Sequence, residues 1–134
     1  MSAVLVDSNI LLDVLTKDPA WAAWSSKALA DAGETARLVI NPVIYAEVSV
    51  GFPTIADVDA AFPVALFVRE PISFEAAFLA GKAYAVYRRR RGTRTSPLPD
   101  FFIGAHAAIA GYRLLTRDPA RFRTYFPKLA LIAP

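Results

Sequence analysis

Asp7, Glu47, Asp100 and Asp118 stand at places in the chain where a carboxylate is costly. Asp7 ends the apolar run AVLVD, Glu47 interrupts PVIYAEVSV, Asp100 opens DFFIGAHAAIA and Asp118 follows YRLLTRD. Four carboxylates gathered in one place repel one another, so either their pKa values rise or a cation neutralises them. An all-oxygen donor set suits Mg²⁺ or Mn²⁺. Such an ion binds a phosphate oxygen, acidifies a bound water and stabilises a leaving oxyanion, which is phosphodiester chemistry. The chain has no cysteine and a single histidine, His106. Disulfides, thiolate metal sites and a zinc centre built on several imidazoles are therefore excluded.

The acids can meet only if the intervening elements bring them together. Strand-like and helix-like segments alternate, which predicts an α/β fold with a mainly parallel sheet. Ala3–Val6 reads as a buried strand and Ser8–Leu15 as a helix, with Ile10, Leu11, Val14 and Leu15 at helical spacing. Asp18-Pro19 is a cap-plus-proline signal predicting a helix to about Ala32, stopped by Gly33. Arg37–Ile40 is a second strand. Asn41-Pro42 opens a helix carrying Tyr45, Glu47 and Val48, and Thr54–Phe62 forms a short helix. Pro63–Val68 is ambiguous, being either a strand or the lead into one near Arg69–Ile72.

Ser73 caps a long helix, Phe74–Arg91, with Phe74, Ala77, Phe78, Ala85 and Val86 as its apolar residues. Residues 92–99 form a loop, and Asp100 caps a helix to about Ala110. Tyr112–Thr116 is a strand, Asp118-Pro119 opens a turn or short helix, and Leu129–Ile132 is a last short strand. In such sheets a site forms beyond the carboxyl ends of the strands. Asp7 and Asp118 follow strands, Asp100 begins a helix, and Glu47 lies about a turn and a half into one. Each acid also has an ordinary use. Asp7, Asp100 and Asp118 can cap helices, and Glu47 can pair with an arginine. Their joint placement at four element ends is what points to a site.

The length of 134 residues fits one domain, 1–134. At 55% hydrophobic the chain is too apolar for disorder. No signal peptide or bilayer-spanning segment is evident, so a soluble cytoplasmic protein is expected. The net charge of +3 is unevenly spread. Residues 1–81 carry 4 Lys/Arg against 10 Asp/Glu, and residues 82–134 carry 11 against 2, giving −6 and +9. Arg88, Arg89, Arg90, Arg91 and Arg94 lie just before Asp100, and Arg117, Arg121 and Arg123 flank Asp118. Such a track can hold RNA phosphates, although cations at a helix C-terminus also complement the helix dipole. Asp13 is expected to face solvent or pair with a basic residue. His106 is expected to be a packed or surface histidine, and Trp21 and Trp24 to share one face of the second helix.

VLVDSNILLDVL, NPVIYAE and PDFFIGAHAAIAGYRLLTRDPARFRTYFP together resemble PIN-domain proteins, and among them the VapC toxins of toxin–antitoxin pairs. The resemblance spans nearly the whole chain and is weakest between about residues 52 and 90. It implies a three-layer α/β/α fold, Mg²⁺- or Mn²⁺-dependent endoribonuclease activity, a homodimer and neutralisation by a cognate VapB-like antitoxin. The substrate is then an RNA, structured RNA such as tRNA included. The family's acidic positions fall on Asp7, Glu47, Asp100 and Asp118. Asp7, Asp100 and Asp118 become metal carboxylates, and Glu47 a ligand or the group that orients water. Asn9, Thr116 and Ser8 become their supports, and the tryptophan region a contact for antitoxin or the dimer mate. Two readings compete: a PIN-like module that binds RNA or protein without chemistry, and an aspartyl phosphotransfer domain. The latter needs a lysine near the strand ends, and none of Lys17, Lys27, Lys82 and Lys128 obviously follows a strand.

Overall fold

The computed structural model describes residues 2–91 and 98–134. The side chain of Arg91, and Arg94 with the rest of the 92–97 loop, lie outside the described residues. Five strands form one all-parallel sheet: β1 (Ser2–Val6), β2 (Ala36–Ile40), β3 (Phe67–Arg69), β4 (Arg113–Leu115) and β5 (Leu131–Ile132), in the spatial order β3-β2-β1-β4-β5. Seven helices connect them among the described residues: α1 (Ser8–Leu15), α2 (Ala22–Thr35), α3 (Pro42–Ser49), α4 (Ile55–Ala61), α5 (Phe74–Arg91), α6 (Leu98–Ala110) and α7 (Ala120–Tyr125). None is long and apolar enough to cross a membrane.

The strand order explains the layers. From β1 the chain moves outward to β2 and β3, then returns past β1 to β4 and β5. Right-handed crossovers put α1–α4 on one face and α5–α7 on the other. The packing agrees in the main: α1 lies against α2 and α3, and α5 and α7 against α6, while α3 and α6 also meet across the two layers. β1 is covered on both faces, and Val4, Leu5 and Val6 are fully buried. That is why AVLV is a continuous apolar run rather than an alternating one. Between β1 and β4 the direction of winding reverses, and the crevice at the carboxyl ends of these two strands is where an open α/β sheet accepts a ligand.

Most boundaries follow local chemistry. Asn41 caps α3 through Oδ1, which accepts from Ile44 N–H at 2.9 Å, with Pro42 in the first turn. Thr54 Oγ1 accepts from Asp57 N–H at the start of α4, and Ser73 Oγ from Ala76 N–H at the start of α5. Four expectations are corrected. Asp18 does not cap α2; its Oδ1 accepts from Ala20 and Trp21 N–H, which makes a turn, and α2 begins at Ala22. Gly33 does not stop that helix, which runs to Thr35 and passes directly into β2. The buried face of α5 is Ala76, Ala80, Ala83 and Tyr87, whereas Phe74 and Phe78 are exposed. Asp100 also lies inside the first turn of α6 rather than ahead of it.

Candidate active site

Asp7 is the innermost of the four acids, only 4% exposed. Its backbone N–H donates to Leu115 O at 2.9 Å, which extends the β1–β4 pairing by one residue and sets Asp7 beside Thr116. One carboxylate oxygen accepts from Ser8 N–H at 2.8 Å, the other from the Thr116 hydroxyl at 2.8 Å. The direction of that second bond is enforced. Thr116 Oγ1 itself accepts from Asn9 Nδ2 at 3.3 Å and Asp118 N–H at 3.2 Å, so its single hydrogen is left for Asp7. Asn9 Oδ1 accepts from Arg117 N–H at 3.4 Å. Thr116 and Asn9 thus hold Asp7 and the segment entering Asp118 in one network.

Glu47 reaches this network from α3, where Ser8 Oγ donates to its Oε1 at 2.8 Å. Asp100 Oδ2 accepts from Arg121 Nη1 at 2.5 Å, and Arg121 also covers the ring of Tyr87. Asp118 is exposed at the rim.

Electrostatics join all four acids. Burial raises the Asp7 carboxyl from 3.8 to about 7, against the Thr116 and Ser8 hydrogen bonds and with help from the charges of Asp100 and Glu47. Glu47 is raised first by burial, then by Asp100, with Ser8 opposing. Asp100 is raised by burial and by Asp118, with Arg121 opposing. Desolvated carboxylates that repel in sequence are where a cation gains most, and the donors are all oxygen. Yet among the described residues no three acidic or histidine side chains form a ready cage for a metal ion. A cation held by Asp100 would have to share it with, or displace, the Arg121 guanidinium.

The arginines divide into groups. Arg88, Arg89 and Arg90 are exposed on α5, with Arg88 over Tyr84 and Arg90 over Tyr125. Tyr84, Tyr87 and Tyr125 pack on Phe101, the residue after Asp100, so the arginine run and Asp100 share one aromatic support. Arg117 is committed to Asp13, with Nε 2.7 Å from Oδ2, and lies over Trp21.

Of the two expectations for Asp13, pairing with a basic residue holds: it bonds Arg117, is 2% exposed, and also accepts from Ser25 Oγ at 2.8 Å. The sequence offers Arg121 only as part of the basic track, and its pairing with Asp100 has no local signal. Trp21 precedes α2 instead of sharing its face, meeting Trp24 edge-on at 6.3 Å. His106 is buried, as a packed histidine should be, but within a polar network.

A search of curated protein sequences finds no match. Among solved structures, the chain is similar to VapBC2 from Rickettsia felis bound to a fragment of promoter DNA, at 17% identity and TM-score 0.72, covering 98% of each chain. It is similar to VapBC-1 from nontypeable Haemophilus influenzae at 18% identity and TM-score 0.71, covering 98% of this chain and 97% of that one. A toxin–antitoxin complex from Klebsiella pneumoniae aligns at 23% identity and TM-score 0.63 over 89% of both chains. At these identities the likeness speaks for the fold. The sequence itself matches the family model of the PIN domain over residues 4–126, from the first strand through the last helix, and the chain belongs to the PIN-domain family.

Proposed function

We propose that this chain is a divalent-metal-dependent endoribonuclease and the toxin of a toxin–antitoxin pair. The observation that carries the reading is the set of four acids joined by repulsion at the strand-order reversal, with Asp7, Glu47 and Asp100 raised together and Asp118 acting on Asp100, braced by Ser8, Asn9 and Thr116. Asp7, Asp100 and Asp118, with Glu47, would hold Mg²⁺ or Mn²⁺. When bound, such an ion supplies Lewis acidity to the scissile phosphate and acidifies a water.

The chain's own groups do the rest. Thr116 and Ser8 N–H fix both oxygens of Asp7, so that carboxylate cannot rotate away. Ser8 occupies Oε1 of Glu47 and leaves Oε2 to orient the attacking water and take its proton, a task suited to a carboxyl raised above its ordinary range. Arg121, beside Asp100, is placed to take a phosphate oxygen. Arg88, Arg89 and Arg90 extend that grip along the RNA backbone. The similarity to toxin–antitoxin complexes supports a VapB-like antitoxin as partner. A homodimer working in the cytoplasm completes the proposal.

The test is cleavage of an RNA panel, tRNA included, with Mg²⁺, Mn²⁺ or EDTA. Metal-dependent cleavage that disappears in Asp7→Asn is expected. Equal trace activity in wild type and variant would refute the proposal. A second reading, a PIN fold that binds RNA or protein without chemistry, draws on the Arg121–Asp100 ion pair in place of a metal cage. Calorimetric titration with Mn²⁺ separates the two, since only the nuclease reading requires binding.

A further inference from the structure

His106 is the chain's only histidine, and it is 3% exposed on α6. Its ring spans two strand ends. Nδ1 lies 3.0 Å from Asn41 Nδ2, just after β2, and Nε2 lies 3.2 Å from Glu70 Oε1, just after β3. The proton positions follow from the network. Asn41 Oδ1 accepts from Ile44 N–H as the cap of α3, so Nδ2 presents hydrogens to His106. Nδ1 must then accept, and the ring proton sits on Nε2 and points at Glu70. Glu70 is itself held: its N–H donates to Ile40 O at 3.0 Å, and its Oε2 accepts from the Tyr112 hydroxyl at 2.5 Å. Turning the Asn41 amide over would set its NH₂ against Ile44 N–H and uncap the helix.

This network belongs to none of the four acids, yet it joins the elements that carry two of them. Asn41 opens the helix of Glu47, His106 sits on the helix of Asp100, and α3 and α6 pack together. We propose that His106, held as the Nε2–H tautomer, is a positioning residue that locks the Glu47 helix to the Asp100 helix and sets the spacing of these two acids. The proposal rests on the reading of the acids as a metal site.

Two substitutions divide the lock. In His106→Asn the side-chain oxygen replaces Nδ1 as acceptor for Asn41; in His106→Gln the amide nitrogen replaces Nε2 as donor to Glu70. The first should keep Mn²⁺ affinity within about threefold of wild type. The second should weaken it by about tenfold or more, the usual range for a group that orients ligands, with the circular dichroism of the folded protein unchanged. Asn41→Ser, which keeps a capping oxygen and drops the donor, should match His106→Gln. Equal losses in His106→Asn and His106→Gln, or no loss in either, would overturn the proposal.

Nitrogen-15 spectra of the wild type test the lock without any variant, because a lone histidine gives one unambiguous pair of ring signals. A protonated Nε2 with a bare Nδ1 is expected. The opposite tautomer, or an averaged pair, overturns the proposal. Wild-type protein that binds Mn²⁺ but cuts no RNA defeats the nuclease reading alone, and the affinity and nitrogen measurements still decide the role of His106.

Discussion

Replacing Asp7 with asparagine should make the metal-free protein more stable at alkaline pH while destroying the proposed activity. The Asp7 carboxyl ionises near 3.8 in the unfolded chain and near 7 in the fold, where burial and the charges of Asp100 and Glu47 oppose its charge. Below pH 4 it is protonated in both states and costs nothing. Between pH 4 and 7 the unfolded chain releases the proton and the fold retains it, so stability falls with rising pH, and above about 7 the loss is complete. Three units at about 1.4 kcal/mol each make that loss about 4 kcal/mol.

Asparagine escapes the loss but can accept only one of the two hydrogen bonds from Ser8 N–H and Thr116, a cost of about 1–2 kcal/mol. The variant should therefore be slightly less stable than wild type at pH 4 and about 2–3 kcal/mol more stable at pH 8, or about 10 °C in Tm. Thermal unfolding in EDTA from pH 4 to 8.5 reads this directly. The two Tm curves should cross, and saturating Mn²⁺ should raise the wild type above the variant again. Parallel curves, or a variant less stable at every pH, would show that Asp7 carries no desolvated charge, and the electrostatic case for the site would fall with it.

Four further outcomes follow from the geometry. Thr116→Val removes a fully buried hydroxyl that donates to Asp7 and accepts two N–H bonds, and urea unfolding should register a loss of about 2–3 kcal/mol. Gly104→Ala would place a Cβ 2.6 Å from the Phe126 ring, so the ring or α6 must shift, and the urea midpoint should fall by the equivalent of about 1–3 kcal/mol. Arg121→Met frees Asp100 from its guanidinium; calorimetry should find Mn²⁺ bound several-fold more tightly while RNA cleavage drops. Changing Arg88, Arg89 and Arg90 together to glutamine should flatten the plot of log RNA affinity against log salt by about 2, and an unchanged slope would mean that they touch no phosphates.

What could be read from the sequence was whatever a local signal encodes. Asn41-Pro42 and Ser73 mark helix starts through their own side chains, and the AVLV run announces a strand buried on both faces. The four acids were legible because each interrupts or bounds apolar sequence. Other features depended on partners that are distant in sequence. The sequence allows Asp13 a basic partner but does not say which; Arg117, 104 positions away, and Ser25 close over it and bury it. The face of α5 was misjudged because hydrophobicity pointed to Phe74 and Phe78, whereas α6 packs against small side chains, Ala76, Ala80 and Ala83, that permit close approach. Asp18 and Gly33 carry the usual punctuation of a helix, but tertiary packing starts α2 later and runs it into β2.

The reversal of strand order also governs when this protein can act. Asp7 is made early relative to the group that holds it, since that hydroxyl belongs to Thr116, 109 positions later. The strand beside β1 on that side is β4, and Asp118 arrives only after it. A nascent chain can pair β1 with β2 and stack α1 on α2 while its acidic centre is still missing one wall. Domains consolidate as synthesis proceeds, but here the β4 side of the proposed site is made long after the β1 side. A chain stalled before residue 113 already contains three of the four acids but lacks Asp118 and the Thr116 hydroxyl that orients the first. If the chain is the nuclease proposed, that order of assembly works as a delay: the activity cannot begin until Thr116 and Asp118 have joined the first strand.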